Sequence, residues 1–305
     1  MAQPQLQPQL QPQDQVVPLK VKHEEVVSPW KDAWRTLRKN KLALVGFGII
    51  LFFIVVAVLA PWIAPYPYDK GELVMKNKPP SEAHWFGTDY NGRDVFSRVI
   101  YGAQISLWVG TFSVIGSVLV GTLLGLLAGY YGRWIDTIIS RLFDIMLAFP
   151  SILLAIAVVA ILGPSLQNAL IAIAIINIPT FGRLVRARVL SLKEEEFVMA
   201  ARAIGMKNSR IIMQHILPNS LAPIIVTGTM GIATAIIEAA ALGFLGLGAQ
   251  APEPEWGKML ADSRQYIQKA PWTVIFPGLS IMLTVLGFNL IGDGLRDALD
   301  PRMKS

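Results

Sequence analysis

Side chains able to do chemistry are few in this sequence and lie far apart. There is no cysteine and there are three histidines, His23, His84 and His215. Disulfides, iron–sulfur clusters and thiol nucleophiles are thereby removed. The histidines fall in different segments, so neither HExxH nor a two-His, one-carboxylate metal set assembles locally, and surface or interfacial packing accounts for each. A phosphate-cradling G-x-x-x-x-G-K-[ST] loop is also missing, because Gly257-Lys258 lacks the upstream glycine and the following hydroxyl. No nucleophile and base converge, which disfavours a membrane enzyme and predicts a chain that holds no cofactor and catalyses nothing itself. What remains is polar groups in apolar runs: Glu238 in "TAIIEAAALGF", Asn177 and Asn289. A carboxylate in hydrocarbon is costly and faces a cavity, a partner or a pathway. Counted from Pro223, Glu238 lies ~22 Å along its helix, towards the outer half of a ~30 Å core. These three are candidate translocation-pathway residues, with a structural hydrogen bond to a neighbouring helix as the competing reading.

The elements that must position these groups follow from composition. The 305 residues are 53% hydrophobic and 16% charged, with mean hydropathy +0.49, outside the range of soluble domains. A spanning helix needs roughly 20 apolar residues. Leu42 to Ala64, Ala103 to Gly132 and Ala270 to Gly292 each read as one span. Ile145 to Gly182 is too long for one and is broken at "GPSLQN" (Gly163 to Asn168), giving two spans and a turn. Ile211 to Pro252 supplies the last, with Pro218 and Pro223 marking its start. The expected fold is an all-α integral membrane protein with six transmembrane helices.

Charge bias orients it. With both termini inside, 19 of the 27 Lys and Arg fall in inner segments and 8 in outer ones, as the positive-inside rule requires. The net charge of +6 therefore expresses topology, and no basic, aromatic-interleaved block argues for nucleic acid. The N-terminal "PQLQPQLQPQ" cannot bury apolar area and lacks the basic start and apolar core of a signal peptide. Gly121, Gly125 and Gly129 make a small-residue stripe, suited to close packing within the subunit or to a contact with a partner. "FGTDYNGRDVF" predicts a turn at Asn91-Gly92, a local Arg93–Asp94 pair and an outer interfacial helix with the stripe Val95, Phe96, Val99 and Ile100.

Between apolar spans sits a polar, basic stretch, "FVMAARAIGMKNSRIIMQHILPN" (Phe197 to Asn219). Phe197, Val198, Ala200, Ala201 and Ile204 recur at helical spacing, and Gly205 can end that helix in a left-handed conformation. Asn208 or Ser209 can cap a second short helix that Pro218 stops. Ala200, Ala201 and Gly205 leave a face able to approach another backbone closely. Pattern alone permits a hairpin on anionic lipid or a joint onto a separate protein.

The stretch resembles the EAA loop of binding-protein-dependent ABC importer permeases: Ala200, Ala201, Gly205, Leu217 and Pro218 match the motif at its spacing, and His215 takes its isoleucine position. Met199 stands where the motif has a glutamate that, by the resemblance, helps hold the loop on the ATPase subunit, and Glu196 one turn earlier is a candidate substitute for that acid. "HWFGTDYNGRDVFSRVIYGAQISL" (His84 to Leu107), "ALGFLGLGAQAPEPEWGKML" (Ala241 to Leu260) and "FNLIGDGLRDALDPR" (Phe288 to Arg302) are similar to the C-type subunit of dipeptide and oligopeptide permeases. The resemblance implies a tail at 1–28, a first transmembrane helix and extracytoplasmic loop at 29–102, and a five-helix core at 103–302 with its coupling loop at about 183–218. It further implies a multi-pass protein of a bacterial or archaeal cytoplasmic membrane, working with a second similar permease, two cytoplasmic ATPase subunits that use ATP and Mg, and an extracytoplasmic binding protein. Peptides are the implied cargo, with nickel chelates or other small solutes as the alternative.

Overall fold

A computed structural model describes residues 34–299. The Pro/Gln tail, His23, Arg302 and Lys304 lie outside these residues. Among the described residues the chain is helical, with one isolated bridge, Thr88 to Asp94. Five helices of the described residues are long and apolar enough to cross a membrane: α1 (Lys41–Ile63), α2 (Val95–Tyr131), α5 (Leu166–Leu192), α7 (Asn208–Phe244) and α9 (Trp272–Leu299). A sixth candidate crossing is formed only by two helices taken together, α3 (Arg133–Ala148) and α4 (Ser151–Leu162), which are bent by 97° at the break between them, the geometry of a broken span or a re-entrant loop. Two short helices, α6 (Glu196–Ala203) and α8 (Trp256–Ser263), lie at opposite ends of the bundle.

The split crossing corrects the expectation of a straight span from Ile145. Phe149 precedes Pro150 and is extended (φ −95°, ψ 142°), as the proline ring requires of its predecessor. The helix therefore breaks there, and α4, with 12 residues, reaches only ~18 Å at 1.5 Å per residue. A second correction concerns Val95, Phe96, Val99 and Ile100, which are the first turns of α2 and not a separate interfacial helix. Asp94 caps them by accepting from Ser97 N at 2.7 Å, and Val95, Val99 and Ile100 are buried. Gly132 (φ +63°) ends α2, 37 residues after it began.

The glycine stripe is explained inside the chain. A Cβ on Gly125 would lie 2.5 Å from Gly182 O, one on Gly121 2.8 Å from Ile178 O, and one on Gly129 2.7 Å from Val189 Cβ. The α2 and α5 backbones thus touch along three turns, a contact that only residues without side chains allow. Phe143 of α3, fully buried, packs on Gly182 from the other side. Arg186 of α5 binds both oxygens of Asp136 on α3, at 2.5 and 2.7 Å. These contacts hold the bent crossing against the bundle despite its break.

Candidate functional site

The hairpin forms at one end of the bundle, between α5 and α7. Gly205 takes φ +77°, and the reversal is closed by Met206 N donating to Ala201 O at 3.1 Å and Gly205 N to Arg202 O at 3.0 Å. These are the bonds of a glycine-terminated helix end. The apolar stripe of α6 divides between two faces. Val198 and Ala201 are buried in a cluster with Val185, Val189, Leu192, Ile211 and Ile216, while Phe197, Met199, Ala200 and Ile204 face outward, Ile204 being 79% exposed. Glu196 is exposed in the first turn of α6. A Cβ on Gly205 would meet nothing within 4 Å, so the tip is open.

Two expectations for the second arm are corrected. Neither Asn208 nor Ser209 caps it: the residue before the helix is Lys207, with no side-chain cap. Asn208 Oδ1 instead accepts from Tyr130 OH of α2 at 2.8 Å. Pro218 does not stop the helix either, because α7 runs unbroken from Asn208 to Phe244. Its backbone widens to a π-turn over Ile212–Ile216, where Leu217 N reaches Ile212 O, an adjustment that absorbs local loss of the regular ladder. Side chains take up nearby carbonyls: Asn219 Nδ2 donates to His215 O at 2.6 Å and Ser220 Oγ to Ile216 O at 2.8 Å. Arg188 Nε on α5 donates to Asn219 O at 3.4 Å, the acceptor that Pro223, lacking N–H, leaves free. His215 is half-buried with its Nε2 enclosed and unpaired.

Among the in-span polar residues, the structure joins two of three. Asn177 Nδ2 on α5 donates to Glu238 Oε2 on α7 at 2.9 Å and to Ile173 O at 3.0 Å. Asn289 lies half-buried on α9 and is not brought to them. The opposite end of the bundle carries a closed cap that sequence spacing did not disclose. Arg93 pairs with Asp89, Nε to Oδ2 at 2.7 Å, and not with Asp94; Asp94 pairs with His84 at 2.9 Å. Arg98, 2% exposed, donates to Tyr68 O at 2.8 Å and Pro252 O at 3.2 Å, tying both long loops to α2. Trp256, fully buried, donates Nε1 to Val99 O at 3.0 Å. Glu255 caps α8 by accepting from Gly257 N and Lys258 N, each at 2.8 Å. Burial pushes its carboxyl up to about 7, with the two backbone donors opposing the shift.

The described residues thus place an exposed hairpin at one end of the bundle and a buttressed cap at the other. Residues 121–305 match the family described as binding-protein-dependent transport system inner membrane component, and residues 28–80 match the N-terminal transmembrane domain of oligopeptide transport permease C. The chain belongs to this permease family. The permease is 65% identical over 279 residues to the dipeptide transport system permease protein of Alkalihalophilus pseudofirmus, covering 92% of each chain. It is 52% identical over 288 residues to the glutathione transport system permease protein of Escherichia coli O157:H7, covering 93% of this chain and 94% of that one. Its fold is similar to an inward-facing methionine ABC transporter, with TM-score 0.53 and 21% identity over 67% of this chain and 97% of the other. The permease is thus a multi-pass membrane component of a binding-protein-dependent transport system, and its relatives are transport subunits, not enzymes.

Proposed function

We propose that this permease is one of two similar translocation subunits of an importer that carries dipeptides or short oligopeptides across a bacterial or archaeal cytoplasmic membrane, with both termini and the hairpin inside. An extracytoplasmic binding protein delivers the peptide to the capped face. Two ATPase subunits, which hold the ATP and Mg that this chain does not, receive the hairpin. The observation that carries the reading is the outward face of α6: Phe197, Met199, Ala200 and Ile204 expose apolar surface around an open Gly205 tip, where a partner is needed to cover it. The peptide class rests on the dipeptide and glutathione relatives.

The lever in this reading runs through α6 and α7. Val198 and Ala201 lock α6 to the inner ends of α5 and α7, and α7 continues without a stop from Asn208 past Glu238. Displacement of the hairpin by closing ATPase subunits therefore reaches the middle of the bundle as a rigid-body shift between two packed states. Met199 packs against the partner where the motif has its glutamate, and Glu196 supplies the acid.

Affinity purification of the permease with its neighbours tests the reading. The ATPase subunits should copurify, and binding protein loaded with a dipeptide should stimulate ATP hydrolysis. Absence of copurified ATPase would refute the permease role proposed for the hairpin. Stimulation by another solute class and not by peptides would refute the cargo.

A further inference from the structure

Glu238 stands within the apolar length of α7. It lies six residues before Phe244, the end of α7 remote from the hairpin, or ~9 Å from that end. Asn177 lies eleven residues into α5, ~16 Å from the same side. The same helices bury an apolar cluster in which α4 contributes Ala155 and Val159, α5 Ile173 and Ile176, and α7 Ala235, Ala239 and Leu242; Ile176 and Ala239 are the chain neighbours of Asn177 and Glu238. Among the described residues no Lys, Arg or His forms an ion pair with Glu238.

The carboxylate is nonetheless held in one orientation. Asn177 Nδ2 spends one hydrogen on Ile173 O and the other on Glu238 Oε2, so the amide is fixed by its own helix and in turn fixes the acid. Glu238 Oε1 takes no partner from the described residues, yet it is absent from the enclosed, unpaired polar atoms, which are Asn77 Oδ1, Thr122 Oγ1 and His215 Nε2. One oxygen is therefore anchored and the other opens to accessible space. An acceptor with this arrangement is complementary to a cationic donor that arrives and leaves, since charge-assisted hydrogen bonds strengthen where water is scarce.

We infer that Glu238 Oε1 receives the α-ammonium of a short peptide in transit, with Asn177 as the residue that positions it. The inference rests on the peptide-importer reading and adds a specificity-determining site to it. A free peptide N-terminus, with a pKa near 8, is protonated at neutral pH, so every unblocked dipeptide carries the matching group whatever its side chains. Recognition of this feature selects for peptides as a class without selecting among them.

Two substitutions separate charge from mere hydrogen bonding. Glu238→Gln keeps side-chain length and an acceptor for Asn177 but removes the charge; Glu238→Asp keeps the charge and is one methylene shorter. The complex, with its binding protein, is reconstituted in lipid vesicles, and alanyl-phenylalanine uptake is measured alongside assembly and peptide-stimulated ATP hydrolysis. Loss of one charge-assisted bond corresponds to on the order of 10- to 100-fold. Uptake by E238Q should fall by at least about tenfold in rate with assembly intact, E238D should outperform E238Q, and Asn177→Ala should fall between wild type and E238Q. Uptake by E238Q within about twofold of wild type, or above that of E238D, would overturn the inference, because a neutral acceptor would then suffice. Failure of E238Q to assemble would also overturn it and make the carboxylate a contact to the second permease. If the wild-type complex took up no peptide at all, the importer reading itself would fall first.

Discussion

Replacing Gly125 with alanine should force α2 and α5 apart. The added methyl would sit 2.5 Å from Gly182 O, 2.8 Å from Val185 Cβ and 3.1 Å from Arg186 N, against 3.4 Å for ordinary contact. The nearest obstacle is backbone, so no side-chain rotation relieves it, and the helices must separate by about 0.9 Å or bend locally. Overpacking of this kind costs about 1–3 kcal/mol. A gain of about 1 kcal/mol in helix propensity opposes it. Gly48→Ala on α1 isolates that gain, since its Cβ would meet nothing within 4 Å. Thermal unfolding of the detergent-solubilised complex, followed by tryptophan fluorescence, should give Gly125→Ala a midpoint below both wild type and Gly48→Ala. A midpoint for Gly125→Ala at or above that of Gly48→Ala would refute the close α2–α5 contact.

Two further outcomes follow from the cap. Glu255 has a folded-state value of about 7 against 4.5 in the open chain, so the folded state binds the extra proton between them. Its contribution to stability is greatest below pH 4.5, declines by on the order of 3 kcal/mol as pH rises to about 7, and is level above that. The difference in unfolding midpoint between wild type and Glu255→Gln should therefore change between pH 5 and 7 and stay constant at higher pH; a pH-independent difference would contradict the assignment. Arg98→Met removes the donor shared by Tyr68 O and Pro252 O, and with it the Arg98 Nε that lies 3.6 Å from Asp89 Oδ2, so that Asp89 keeps Arg93 as its ion-pair partner. A destabilisation of about 3 kcal/mol or more is expected, with amide exchange rising in residues 64–72 and 245–255 and little change in the hairpin.

Much of this architecture is legible in the sequence because membrane spans declare themselves locally, through long charge-free runs and their flanking bases. Gly205 is legible for the same reason: a glycine between two amphipathic repeats has a conformational role that no other residue fills cheaply. Proline was a weaker guide. Pro150, interior to an expected span, breaks the helix there, whereas Pro218, an expected stop, sits in a helix that continues because a π-turn and the Asn219 and Ser220 side chains absorb the disruption. The division of the α6 stripe could not be read either, since Val198 and Phe197 differ only in which neighbour covers them. Likewise Glu238 and Asn177 stand out individually as polar residues in apolar runs, but their bond joins positions 61 residues apart. The Arg98 ties span 30 and 154 residues. Such pairings arise from packing, and no local pattern encodes them.

The most direct test of the account is peptide uptake, with its accompanying ATP hydrolysis, by the reconstituted complex carrying Gly205→Asp in this permease. Gly205 has open space around it but a left-handed backbone, which costs a non-glycine residue about 1–2 kcal/mol and which aspartate adopts more readily than most, so the chain should still fold and insert while its docking tip gains bulk and charge. The account predicts that uptake is lost and that hydrolysis no longer responds to dipeptide-loaded binding protein, with the permease pair still assembled in the membrane. Full peptide-coupled hydrolysis and uptake in this variant would contradict it, and would mean that the hairpin is not where the ATPase subunits take hold.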